Sequence, residues 1–161
     1  MKVYTREEVN KFRDTFANLN YRKHAVELGR KDFSFFDVPQ DRNPALECFA
    51  LVLAGKKDDS YVIGVSSQVE TAFRPLWAFH EYVEVVEPGA DNKLKCVDAL
   101  KQELGVARIV LESQIHFPKY ISARTKFFEN LVNYALGKPG MYDKETIREF
   151  RESLDHLVSL V

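Results

Sequence analysis

The sequence lacks an excess of charge of either sign: 23 basic residues stand against 24 acidic ones, a net charge of −1. Without a basic stripe interleaved with exposed aromatics there is no electrostatic footprint of a nucleic-acid binder, and no nucleic-acid partner is expected. Cysteine is scarce as well. Cys48 and Cys96 are far apart and in apolar surroundings, which fits a reduced pair in the cytoplasm. A Cys-x-x-Cys redox or zinc-ribbon motif is missing. So is any apolar run long enough to cross a bilayer: the most apolar stretch, Ala45 to Gly55, is interrupted by Glu47. The first residues turn polar and acidic at once, unlike a signal peptide, so a cytoplasmic, membrane-free protein is expected. No repeat, low-complexity tract or Gly/Ser linker divides the chain. Phosphate loops, dinucleotide fingerprints and EF-hand loops are absent.

What is present suits one domain over residues 1–161, with 45% apolar and 29% charged residues. Thr5-x-x-Glu8 forms a capping box before Val9, Phe12, Phe16 and Leu19 at helical spacing. A second helical piece is expected from Tyr21 to Leu28, stopped by Gly29. Phe33 to Val38, Ala45 to Ala54 and Tyr61 to Ser66 read as strands, the last two joined as an antiparallel hairpin by Gly55 to Ser60. Helices follow: one containing Pro75 to Glu87, one from Asn92 to Leu104 stopped at Gly105, one from Pro118 to Leu136, and one from Lys144 to about Leu160. Val106 to Ser113 fits strand or helix. The expected fold is α+β: a small, mainly antiparallel sheet of about three strands covered by four to six helices, with the 75–87 helix central.

The 75–87 segment carries the chemistry. At ~100° per residue, with Leu76 at zero, Glu87 falls at ~20°, His80 at ~40°, Glu84 at ~80° and Glu81 at ~140°. The polar side chains share one sector, and Leu76, Ala78, Phe79, Tyr82, Val83, Val85 and Val86 fill the rest. A helix apolar over most of its girth is buried on most sides. Its polar stripe then meets either solvent or an internal site. His80 and Glu84 are one turn apart, so both reach a single cation. Glu81 projects beside them, where a carboxylate accepts a proton from an activated water.

His80-Glu81-Tyr82-Val83-Glu84 resembles the metal-binding helix of zincin metallopeptidases, His-Glu-x-x-His, with the last ligand changed to Glu. The resemblance covers this motif and its apolar flanks, Leu76 to Phe79 and Val85-Val86. It implies zinc, or manganese or iron as alternatives for an oxygen-rich ligand set, a peptide or amide substrate, and Glu81 as general base. In the glutamate-type zincins a third ligand follows on the next helix. With eighteen residues intervening after Glu84 (85 to 102), the matching position is Glu103. The Asn-Glu context usual there is absent, since the chain reads Lys101-Gln102-Glu103-Leu104. One imidazole and two carboxylates neutralise Zn²⁺ more fully than the usual set, which makes hydrolysis near neutral pH slower. The same substitution also fits a degenerate relative that kept the fold and lost the activity.

Arg124 lies within the apolar stripe Tyr120, Phe127, Phe128, Leu131. Buried, it needs a carboxylate such as Glu84 or Glu103, and it is a candidate for stabilising an oxyanion. Otherwise its stem lies on the core and its head reaches water. His116, before Phe117-Pro118, is a candidate ligand or substrate donor, or else a loop histidine satisfied by backbone. Cys96 is a candidate ligand for a thiophilic metal, or else an inert buried thiol. His24 and His156 are expected on charged, solvent-facing helix surfaces. Gly64-Val65-Ser66-Ser67-Gln68 begins like a nucleophile elbow but lacks the closing glycine. Two functional classes follow: a zincin-like hydrolase with a peptide or protein substrate, or a metal-free, non-catalytic domain that binds a protein partner.

Overall fold

The structure is a computed structural model and describes residues 4–39, 50–55, 60–112 and 115–161. Its contacts divide the chain, expected as one domain over 1–161, into two compact units, Met1–Leu94 and Lys95–Val161. The fold is α+β, as expected.

In the first unit, Thr5 caps α1 (Arg6–Asn18) through the full capping box with Glu8. The helix ends because Asn20 takes a left-handed backbone, φ 56°. The Asn20 amide then bonds the Ala17 carbonyl and the Tyr21 amide that of Phe16, while the Phe16 and Tyr21 rings touch. This is a Schellman closure with its hydrophobic contact, asparagine standing where glycine is usual.

The next segment corrects an expectation. Residues 21–28 are not helical: Lys23–Leu28 is β1, paired antiparallel with β2 (Lys31–Val38) in register from Lys23 with Phe36 to Leu28 with Lys31. Gly29 is therefore no helix stop. With Arg30 it forms a two-residue turn whose φ values, 57° and 62°, are both positive, the type I′ form that matches strand twist. Half-buried and exposed residues alternate along β1, and pairing with β2 overrides the helical propensity of Ala, Glu and Leu.

β3 (Ala50–Ala54) pairs antiparallel with β4 (Tyr61–Ser66), as expected of the hairpin. The expected strand residues 45–49, with Glu47 and Cys48, and turn residues 56–59 lie outside the described residues. β2 pairs parallel with β4, which gives the order β1-β2-β4-β3. The sheet is thus mixed and four-stranded where about three mainly antiparallel strands were expected. The extra strand is β1, and the parallel pair arises because β2 joins β4, not β3. The sheet is covered on both faces, and β2 buries Phe33 and Phe35 as well as Phe36 and Val38. Phe36, Val38 and Val62 pack with Val9 and Phe16 of α1. From the opposite face Phe33 meets Phe79 and stacks on Tyr82 at 5.1 Å.

Those two aromatics belong to the expected central helix, which has two parts. α2 (Arg74–Glu81) has Pro75 in its first turn and passes into a π-helical turn, Tyr82–Val86. There the Glu87 amide reaches back five residues to the Tyr82 carbonyl at 2.9 Å. Val85 packs with Ala54 and Ala90 beside Val52 and Tyr61, which seats the wider turn on β3. A 3-10 turn, Ala90–Asn92, closes the unit.

The second unit consists of α3 (Cys96–Val110), α4 (His116–Gly137) and α5 (Lys144–Val158). With the π and 3-10 turns, the helical pieces among the described residues outnumber the four to six expected. α5 packs on both α3 and α4. α3 starts later than Asn92 and runs through Gly105 to Val110, so Gly105 is no stop and the ambiguous stretch is helical through Val110; residues 113 and 114 lie outside the described residues. The stripe Leu100, Leu104, Ala107 continues past the glycine and is buried, and burial of that face outweighs the roughly 1 kcal/mol helix cost of glycine. The Asp143 side chain caps α5 by accepting from the Thr146 amide.

Candidate metal pair on the central helix

α2 carries His80 on its last turn, and the π turn carries Glu84. The His80 Nε2 to Glu84 Oε2 distance is 2.9 Å, with the imidazole 4% and the carboxylate 14% exposed. Two zinc ligands at tetrahedral angles, each ~2.0–2.1 Å from the ion, lie ~3.3 Å apart. The pair is therefore close to a shared-cation spacing and needs only a few tenths of an ångström of opening. The second carboxylate oxygen, Oε1, lies 3.8 Å from Lys93 Nζ. The Glu84 backbone is fixed too, since its carbonyl accepts from the Leu94 amide at 2.8 Å. Glu81, the last residue of α2, is half-buried beside the pair in sequence.

The π turn alters the helical wheel drawn from the sequence. Its wider turns carry more residues each, so positions after Tyr82 fall behind the 100° spacing. Glu87 sits beyond it, exposed and ion-paired with Lys31. Tyr82 has a pKa raised above 10.0, first by burial and then by the nearby Glu87 charge.

The remaining expected site residues belong to the second unit. There Arg124 finds one of the two carboxylates its sequence position suggested: its Nη2 lies 2.8 Å from Glu103 Oε2. The other Glu103 oxygen accepts a short hydrogen bond from the Tyr120 hydroxyl. Tyr120 and Glu103 are fully buried and Arg124 is 2% exposed. The guanidinium also lies 5.2 and 5.3 Å from the Phe127 and Phe128 ring centres. Burial alone would lower the Arg124 pKa, but Glu103 and then Tyr120 more than offset it and hold the group above its ordinary value. Burial, then the Glu103 charge, raises the Tyr120 pKa well above 10.0. Both oxygens of Glu103, expected as a third metal ligand, are thus engaged within its own unit. Arg124 does not reach water past the core; its charge is met inside. His116 is exposed as the first residue of α4. Cys96 is buried, and its backbone amide donates to Glu149 Oε2 at 3.4 Å.

The sequence reading missed a second polar constellation in the first unit. His24, expected on a solvent-facing helix, is on β1, and its Nε2 lies 2.6 Å from Asp37 Oδ2 on β2. Arg74 Nη1 is 3.3 Å from the same oxygen. One signal was present: Asp37 interrupts the apolar run Phe33 to Val38, where a carboxylate needs partners. Placing His24 on a helix hid the first of them. His156 is part-buried, and its pKa is lowered from 6.5 by burial and then by the Lys101 charge.

Compared with protein-family models, with curated proteins and with solved structures, the chain matches none. Among the described residues, no helix is long and apolar enough to cross a membrane.

Proposed function

We propose that His80 and Glu84 are protein ligands of a divalent transition metal, zinc first and manganese or iron(II) as alternatives, in a zincin-like hydrolase of peptide or amide bonds. The observation that supports this reading is the buried imidazole and the carboxylate one turn on, 2.9 Å apart at the α-to-π junction. The residues fit such a cation in kind as well as spacing: a neutral imidazole and a carboxylate are borderline and hard donors of the sort these metals accept. The π turn adds weight, since such turns inside helices occur frequently at functional sites. A bound cation would supply Lewis acidity. This chain's part is to hold donor atoms on a helix packed against a sheet and to place Glu81 as a proton acceptor one residue from His80. Glu103 stays with Arg124 in this proposal, because withdrawing it would leave a guanidinium buried and uncompensated.

A second reading, a non-catalytic domain that binds a protein partner and holds no metal, draws on the same residues. His80 and Glu84 already contact each other, and Lys93 stands beside the carboxylate, so the group is compensated without a cation. Calorimetric zinc titration of the dialysed protein separates the two. The first reading expects one zinc per chain, with affinity lowered more than ~100-fold in His80→Ala and Glu84→Ala, beyond the 10–100-fold typical of outer-shell partners. It also expects cleavage within a peptide library that stops on chelation and falls ~10²–10⁴-fold in Glu81→Gln. Absence of zinc binding by the wild-type protein would leave the second reading.

A further inference from the structure

We propose that His24, Asp37 and Arg74 form a separate, metal-independent proton-transfer site, with His24 as general base toward water or a hydroxyl attacking an activated ester. The three side chains come from three elements of the first unit. β2 runs parallel to β4, and both end at the same edge of the sheet, with Asp37 paired to Val65 and Val38 to Ser66. β1 is antiparallel to β2, so its beginning, with His24, returns to that edge. Arg74 opens α2 just after β4.

The geometry orients the imidazole in two ways. Its Nε2 is 2.6 Å from Asp37 Oδ2, and its ring stacks on Phe35 with centres 4.8 Å apart and planes at 21°. With Nε2–H donating to the carboxylate, Nδ1 carries the lone pair, and the side chain keeps 25% of its surface exposed. Base and orienting carboxylate thus form a pair like that of acyl-transfer triads, with the roles of the two ring nitrogens exchanged.

Asp37 is held in turn. Its amide donates to the Arg22 carbonyl at 2.8 Å. Arg74, 3.3 Å from Oδ2, is itself fixed by donating from Nε to the Val69 carbonyl and from Nη2 to the Ser67 carbonyl, at 2.7 and 2.6 Å. Among the described residues Asp37 Oδ1 has no hydrogen-bond partner and is buried. The carboxylate charge is therefore directed at the two cation-forming groups, and the imidazole is the nearer of them. The fixed guanidinium also disfavours a metal ion here.

The step balances with water alone. Nδ1 takes a proton from water as the oxygen adds to the acyl carbon. The ester C–O bond then breaks, and the leaving alkoxide takes that proton from the imidazolium. The products are an acid and an alcohol, and His24 is returned to its starting form.

The test uses the full chain in excess EDTA, so a cation at His80 and Glu84 plays no part, with p-nitrophenyl acetate as the probe. Wild type is expected to hydrolyse it about a hundredfold faster than His24→Ala, while His156→Ala keeps the wild-type rate. Asp37 acts through His24 as a positioning residue. The expected signature is a ¹⁵N imidazole spectrum showing the Nε2–H tautomer of His24 in wild type and a tautomer mixture in Asp37→Asn. Circular dichroism of each variant confirms folding. A His24→Ala variant that hydrolyses the ester as fast as wild type overturns the proposal. So does an Nδ1–H tautomer in the wild-type protein, a readout that needs no variant.

Discussion

Glu103 shows how a side chain's neighbours decide its use. Its spacing from Glu84 suggests a metal ligand, yet both of its oxygens are bonded inside a fully buried group with Tyr120 and Arg124. The charge of such a pair is best seen by removing one side of it. Glu103→Gln or Arg124→Met should destabilise the protein by roughly 3–5 kcal/mol, because an uncompensated buried group remains, whereas Glu103→Leu combined with Arg124→Met should recover most of the loss. Urea unfolding of the three variants measures this. Tyr120 links the same group to pH. Its folded-state pKa lies above the unfolded value of about 10, so the folded state holds a proton that the unfolded chain releases in alkali. Its contribution to stability is whole below pH ~10 and is lost as pH rises from there through the folded pKa. The urea midpoint should therefore fall as pH climbs above 10, and Tyr120→Phe should flatten that fall.

Elements with a strong local signature were read correctly from the sequence, and those decided by partners were not. The capping box of α1, β2, β4 and the long α4 each carry a signal within the segment itself. β1 does not: Lys23 to Leu28 contains good helix formers, and its strand state comes from β2 across a Gly29-Arg30 turn. The π turn is equally silent in sequence, since it is a change of hydrogen-bond partner with no change of periodicity class. Consequently the wheel placed His80 and Glu84 on one face correctly, but positions beyond Tyr82 less so. His24 and Asp37 meet only because β1 is a strand paired with β2, a state its own residues do not signal. These reassignments have measurable consequences. Arg30 holds φ 62° without being glycine, so Arg30→Gly should stabilise the hairpin, while Gly29→Ala should cost about 1–2 kcal/mol. In α3, a Cβ added at Gly105 meets nothing within 4 Å. Gly105→Ala should then raise stability by about 1 kcal/mol; were Gly105 a helix stop instead, the same change would lower it. Thermal melts of the three variants decide both points. Gly64 is the opposite case, because its Cβ would lie 3.2 Å from Val38 Cγ2 and Gly64→Ala must displace the packing between β4 and β2.

At the scale of the whole molecule, basic and acidic residues nearly balance, with a net charge of −1, and the charged and titratable groups that stand out do so in local constellations. Each unit has one or more: the His80–Glu84 pair and the His24–Asp37–Arg74 cluster in the first, and the Glu103–Tyr120–Arg124 group in the second. The buried trio of the second unit has the character of a structural group, with every charge met. The metal reading rests on the first unit alone. X-ray absorption at the zinc edge, on protein loaded with one equivalent of zinc and passed through a desalting column, tests it most directly. The expected spectrum shows retained zinc with an imidazole nitrogen and a carboxylate oxygen at about 2.0–2.2 Å, and loss of the imidazole signature in His80→Ala. Zinc that washes off the column, or an imidazole signature unchanged in that variant, would contradict it.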